Sequence, residues 1–181
     1  MKEHADIQIL IDGCAANNRK AQELLYRQYY SFAMVVAQRY SRDDLDAADI
    51  LSQAFVKVFK SIKSFDPSKG SFKSWLKRIV INEGLDHIKG RSKFGEEIEL
   101  EMETAAAPNV DNAAIAQLSA KELMTMIQKL PPATHAVFIM YAVEGYNHRE
   151  IAEELKISEG TSKWHLSEAR KFLQNEIMNK Y

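Results

Sequence analysis

With 181 residues the chain can hold one large or two small domains, and each small one would have a thin core. A formal net charge of -1 excludes a protein that binds nucleic acid by bulk charge alone, so any such binding must come from how the charge is distributed. The single cysteine, Cys14, excludes an intrachain disulfide and a cysteine-based zinc cluster, and it fits a reducing compartment. Asp6 to Ala16 sets Ile7, Leu10, Ile11 and Cys14 on one helical stripe, and Lys20 to Tyr40 continues with Leu24, Leu25, Phe32, Val35 and Val36. Asp46 opens a third helix, with Ile50, Phe55, Val58, Phe59 and Ile62 as its buried face. Phe65 to Ser71 contains both Pro67 and Gly70 and reads as a loop. Phe72 to Gly90 resumes as helix, with Trp75, Leu76, Ile79 and Val80 toward a core and Gly90 as its stop.

Phe94 to Asp111 changes character: Glu96, Glu97, Glu99, Glu101 and Glu103 stand with no basic residue and no apolar stripe to bury. It reads as a flexible acidic linker and a domain boundary. Beyond it, Ile115, Leu118, Leu123, Met126, Ile127 and Leu130 mark a helix ending before Pro131-Pro132, and Ala133 to Ala142 mark another ending near Gly145. No strand-like alternation is present. The expected fold is all-α, with domains at 1–93 and 112–181 joined by the linker 94–111.

Charge follows the same division. Residues 1–93 carry 16 Lys and Arg against 11 Asp and Glu, residues 94–120 carry none against 6, and residues 121–181 carry 8 against 8. The cationic excess concentrates in Lys69, Lys73, Lys77, Arg78, Lys89, Arg91 and Lys93, opposed only by Glu83 and Asp86. Such a cluster is either a phosphate footprint or a solvated helix face. The five histidines form no metal-ligand spacing, and there is no phosphate-cradling glycine loop or nucleophile elbow. The expectation is a non-enzyme without metal or cofactor. The first residues lack the apolar core of a signal peptide, and the longest apolar run, Phe32 to Ala37, is too short to span a bilayer, so a cytoplasmic protein is expected.

Asn147 to Leu173, NHREIAEELKISEGTSKWHLSEARKFL, has the pattern helix, tight turn, helix. Ile151, Ala152 and Leu155 recur at helical spacing, a break passes through Lys156, Ile157 and Ser158, and then Trp164 or His165, Leu166, Ala169 and Leu173 recur. Asn147 and Glu150 fit a capping box, and Ser158 fits the cap of the second helix. Periodicity alone allows an ordinary pair of surface helices. The second helix also carries Thr161, Ser162, Lys163, Trp164, Ser167 and Arg170, a donor-rich surface suited to phosphates and base edges.

Together with the preceding LPPATHAVFIMYAVEG (Leu130 to Gly145), this stretch resembles region four of bacterial sigma factors. DAADILSQAFVKVF (Asp46 to Phe59) and FKSWLKRIVINEGLDHIKGR (Phe72 to Arg91) resemble their region two. Two motif blocks in the family's order, covering most of the chain, are more specific than a lone helix-turn-helix. The chain resembles the small two-domain extracytoplasmic-function (ECF) sigma factors.

The resemblance implies an alternative sigma factor that brings core RNA polymerase to chosen promoters. A polymerase-independent helix-turn-helix regulator is the alternative, though it would have no use for the first two blocks. Asp46, Asp49, Ile50, Gln53 and Val56 would dock on a coiled coil of the largest polymerase subunit, and the flap of the second-largest subunit would be a further contact. Asp66, Ser68, Lys69, Ser71, Lys73, Lys77, Arg78, Asn82 and Lys89 would capture the downstream promoter element as single strand. Trp75 and Phe72 are read as core packing rather than stacking platforms. Arg149, Thr161, Ser162, Lys163, Trp164, Ser167, Glu168 and Arg170 would meet the upstream element as duplex. Glu168 stands where many relatives carry Arg, and it would repel phosphate unless it accepts from a cytosine amino group or pairs with Lys163 or Arg170. Lys156 replaces the usual turn glycine, at a cost on the order of 1 kcal/mol if its backbone is left-handed. Promoter DNA and an anti-sigma factor are the other partners the resemblance implies, with no small-molecule substrate and no membrane insertion.

Overall fold

The computed structural model describes residues 2–90 and 119–180, and among these the chain is helical, with no strand. The acidic linker expected at 94–111, together with Arg91, Lys93, Ile115 and Leu118, lies outside the described residues. The chain divides into two compact units, Met1–Leu85 and Asp86–Tyr181.

The first unit is built from α1 (Lys2–Ala15), α2 (Arg19–Gln38), α3 (Asp44–Ser61) and α4 (Phe72–Lys89), whose last turn crosses the division. Asn18 starts α2 by accepting from the backbone N–H groups of Lys20 at 2.9 Å and Ala21 at 3.2 Å. Asp43 starts α3 by accepting from Asp46 N at 2.8 Å. Each cap satisfies donors that have no partner inside the helix and contributes about 1 kcal/mol.

Leu25, Ala33, Val36, Ala37 and Tyr40 from α2 and its end pack with Ile50, Leu51, Ala54, Phe55 and Val58 from α3 and Leu76, Val80, Ile81 and Leu85 from α4. Full burial of each large aliphatic side chain stabilises by about 1.5–3 kcal/mol. Gly84 sets the distance between α4 and the end of α2: a Cβ there would lie 2.5 Å from Tyr40 Cβ. Leu24 and Val35, expected on the packed stripe of α2, are instead 47% and 53% exposed. Eleven residues apart, they share a face, while Leu25 and Val36 one position later take the inward one.

The second unit contains α5 (Ala120–Ile127), α6 (Pro132–Phe138) with a π-helical turn at Ile139–Val143, α7 (His148–Leu155) and α8 (Glu159–Met178). Ala133, Thr134, His135, Ala136 and Val137 are all buried, so α6 is the central helix of the unit. Leu123, expected in the core, is 38% exposed, whereas Met126, Ile127 and Leu130 are buried. A capping box between Ser119 and Glu122 starts α5. Two ion pairs join α5 and the segment after it to the end of α8 and the residues beyond: Lys180 with Glu122 at 2.5 Å and Lys129 with Glu176 at 2.6 Å.

Candidate nucleic-acid interface

Three surfaces gather the residues expected to act. On α3, the face opposite Ile50, Leu51 and Ala54 carries Leu45, Asp49, Gln53 and Val56 at helical spacing. Asp49 and Gln53 are exposed, Val56 is 45% exposed, and Leu45 is 79% exposed. Ile50 is 2% exposed and belongs to the core, so it supports this face and cannot contact a partner through it. Asp46 turns back on the start of the helix, where its Oδ2 accepts from Arg42 N at 3.3 Å. Leu45 was missed because a leucine one position after a helix start carries no sign of which way it points.

The second surface is a cleft of about 380 Å³ lined by Ser64, Phe65, Asp66, Lys69, Gly70, Ser71, Ser74, Trp75 and Arg78. That volume lies in the range of small-ligand sites. The loop is held open by local bonds. Asp66 Oδ1 accepts from Ser68 N at 2.9 Å and from the Ser68 hydroxyl at 2.7 Å, and Lys69 approaches Asp66 at 3.8 Å. The Ser68 hydroxyl and backbone N–H, with Lys69 beyond them, hold the Asp66 carboxyl below the usual carboxylate range. Gly70 sits at φ 145°, ψ 179°, a backbone region open essentially to glycine alone. Ser71 then starts α4, accepting from Ser74 N at 3.1 Å.

Phe65, Phe72 and Trp75 form a ring cluster with centroids 5.5–5.6 Å apart behind the cleft. Phe72 is buried in it, as expected of a core residue. Trp75 packs in the same cluster yet is only half-buried and lines the cleft, so packing does not consume the whole ring. Asp66, Lys69, Ser71 and Arg78 are brought together at the opening, and Ser68 is tied to Asp66 behind it. Lys73 is not part of this group: its ammonium sits 4.6 Å over the Phe32 ring on α2. Asn82 is exposed one turn beyond Arg78, with Lys77 just before Arg78 and Lys89 near the end of α4. Glu83, which counted against the basic excess, is buried in an ion pair with Lys57 of α3 and offers little charge to the surface.

The third surface is the helix-turn-helix. Asn147 and Glu150 form the reciprocal capping box, and Ser158 accepts from Thr161 N at 2.9 Å at the start of α8. Between them Lys156 takes the left-handed conformation, φ 59°, ψ 46°. Of the two residues that could face inward, His165 is chosen: it is 1% exposed, and its Nδ1 lies 2.9 Å from the Thr134 hydroxyl on α6. Burial pushes the imidazole down to about 4. Ser162, expected at the DNA, is fully buried, with its hydroxyl 2.9 Å from His148 Nδ1. It pins α8 to α7 and cannot reach a ligand. His148 stacks on Tyr141 of the π-helical turn at 4.7 Å, and burial followed by nearby Lys163 lowers its pKa.

With Ser162, His165, Leu166, Ala169 and Leu173 inward, the opposite face of α8 carries Gly160, Trp164, Ser167 and Lys171, flanked by Lys163 and Glu168, although the Lys171 side chain is only 12% exposed against 34% for Glu168. Lys163 is exposed, and Trp164 and Ser167 are half-buried. Thr161 bonds to the Ser158 hydroxyl at 2.9 Å, and Arg149 is exposed with Glu153 at 3.2 Å. Arg170 points elsewhere, lining an apolar groove against Leu123 with Leu173 and Ile177. Glu168 pairs with neither Lys163 nor Arg170 but with Lys171, at 2.7 Å. Its spacing, three residues on, was available in the sequence.

Comparison with known proteins supports both units separately. The family described as Sigma-70 region 2 matches residues 25–94, and that described as Sigma-70, region 4 matches residues 120–173, together more than half of the chain. The ECF RNA polymerase sigma factor SigE of Mycolicibacterium smegmatis is 27% identical over 84% of this chain, which spans 60% of that relative. The ECF RNA polymerase sigma-E factor of Haemophilus influenzae is 24% identical, with 98% of each chain covered. SigM of Mycobacterium tuberculosis is 29% identical over 93% of this chain and 82% of its own length. In fold, the chain is similar to the sigma factor RpoE of Bartonella quintana, solved in complex with the anti-sigma factor NepR, at a TM-score of 0.52 and 20% identity over 87% of this chain and 96% of that one.

Proposed function

The chain belongs to the ECF group of the sigma-70 family and is an alternative sigma factor, and from that membership we propose how its surfaces divide the work of promoter selection. The domain 1–93 docks on core RNA polymerase through the outward face of α3, where Leu45 and Val56 supply apolar anchors and Asp49 and Gln53 supply polar ones. The cleft beside Gly70 receives an unstacked base of the downstream promoter element. Extruding a base costs a few kcal/mol, and a site that returns stacking and hydrogen bonds offsets it without nucleotide hydrolysis. Trp75 and Phe65 present ring surface there, Asp66 is a charged acceptor, and Lys69 and Arg78 face the backbone phosphates.

The domain 112–181 reads the upstream element in duplex form through the outward face of α8, with Lys163, Trp164, Ser167 and Glu168 toward bases and Arg149 and Thr161 toward phosphates. Residues 94–111 tether the two readers. The protein acts in the cytoplasm as an initiation factor; among the described residues no helix is long and apolar enough to cross a membrane. An anti-sigma factor restrains it, a reading supported by the similar fold of RpoE of Bartonella quintana, solved in complex with the anti-sigma factor NepR.

The observation that carries this reading is the pairing, in one chain, of a base-sized cleft beside a basic helix with a separate helix-turn-helix. The test is transcription from a randomised promoter library by purified core polymerase with and without the protein, sequencing the transcript starts. Factor-dependent starts that share two spaced motifs are expected. Failure to join core polymerase or to direct any start would overturn the division of labour and return the second unit to a polymerase-independent regulator.

A further inference from the structure

Glu168 is the residue whose presence on the outward part of α8 is hardest to explain. A carboxylate entering a groove of DNA meets phosphates on both sides, and that repulsion must be offset. The structure supplies the offset inside the same helix: Lys171 Nζ lies 2.7 Å from Glu168 Oε1. The pair has no net charge. One carboxylate oxygen is fixed by the ammonium, and Oε2 is left as an acceptor.

We propose that Glu168, positioned by Lys171, reads a cytosine in the major groove of the upstream duplex element. This rests on the reading of α8 as the duplex-facing helix and adds the base it selects. Four base pairs present different edges there, and only cytosine N4 and adenine N6 are amino donors to a carboxylate. Adenine sets the N7 acceptor beside N6, which repels the second carboxylate oxygen. Cytosine has no acceptor beside N4 in the major groove, so the carboxylate favours it. Guanine and thymine offer acceptors only. Lys171 is a positioning residue in this scheme: its ammonium, 2.7 Å from Oε1, orients the carboxylate.

The experiment uses the full chain with core polymerase and a promoter library randomised over the upstream element, read by sequencing the transcripts. The unaltered protein is expected to select cytosine at one upstream position by roughly ten-fold over the other bases, the range of one good side-chain–base contact. Glu168→Gln should move that single position toward adenine, because an amide can both accept from N6 and donate to N7. Lys171→Met should flatten the cytosine preference, and Lys171→Arg should restore it. A merely structural role for the pair would lower transcription from all library members alike. The proposal is overturned if Glu168→Ala, with unchanged thermal unfolding, keeps the same base preference at every upstream position. If the unaltered protein directs starts that share a downstream motif but no upstream one, the duplex-reading assignment of α8 falls, and the cytosine contact with it.

Discussion

Lys156 occupies a backbone conformation that costs an L-residue with a Cβ on the order of 1 kcal/mol, and nothing among its contacts requires a lysine there. Lys156→Gly should therefore stabilise the second unit by roughly 0.5–1 kcal/mol, part of the gain being lost to the greater freedom of glycine when unfolded. Urea unfolding of the two proteins measures the difference. His165 gives the second residue-scale expectation. Its folded pKa of about 4 lies below the ordinary value of 6.5 because burial disfavours the charged ring. Above pH 6.5 the ring is neutral folded and unfolded, and stability is complete. From 6.5 down to about 4 only the unfolded chain takes up the proton, so stability falls by about 3 kcal/mol before levelling off. Thermal unfolding at pH 7 and pH 5 should show about 2 kcal/mol of this loss, and His165→Gln, which keeps a partner for Thr134 but does not titrate, should show less of it.

At the scale of elements, α3 has one face that builds the core and another that faces out, and the two respond differently to substitution. Val56→Asp and Leu45→Asp alter exposed side chains and should leave unfolding within about 0.5 kcal/mol of the parent. If this face docks on polymerase, the same changes should weaken association with core polymerase at least ten-fold, measured by co-purification or fluorescence anisotropy. Ile50→Ala would not make that distinction, because it opens a cavity in the core and costs about 2–5 kcal/mol of stability. The starts of α2, α4, α7 and α8 were legible to within a residue, because Asn and Ser at their ends act through local bonds, whereas α3 starts at Asp44, two residues before the expected Asp46, since Asp43 caps it. The π-helical turn at Ile139–Val143 was not legible, since its apolar sequence is equally compatible with a continuing α-helix. The Lys57–Glu83 pair joins helices 26 residues apart in sequence, and no local pattern announces it.

At the scale of the molecule, the proposed division of labour makes two modest contacts on one chain reinforce each other. Once the first is made, the second is intramolecular, and the effective concentration set by the tether replaces the bulk one. A protease site placed between residues 94 and 111, cut after purification, should lower promoter occupancy by holoenzyme at limiting factor by on the order of 10²-fold. Each unit should keep its own unfolding transition. A filter-binding titration before and after cleavage checks the first expectation and calorimetry the second. Equal occupancy after cleavage would mean that one contact suffices.

The sequence by itself determined that the chain is helical, where most helices begin and end, that a helix-turn-helix follows an acidic stretch, and which family's motifs it carries. These are consequences of short-range chemistry: caps, turn residues and periodic apolar side chains act over one or two turns. Only the tertiary structure decided which members of each stripe are buried. It turned Ser162 inward and Leu24 and Val35 outward, sent Lys73 to the Phe32 ring, chose His165 over Trp164 for the core, and gathered Asp66, Lys69, Trp75 and Arg78 around one cleft. Helical periodicity leaves a rotation of one residue undetermined, and that rotation is fixed by packing between helices far apart in the chain.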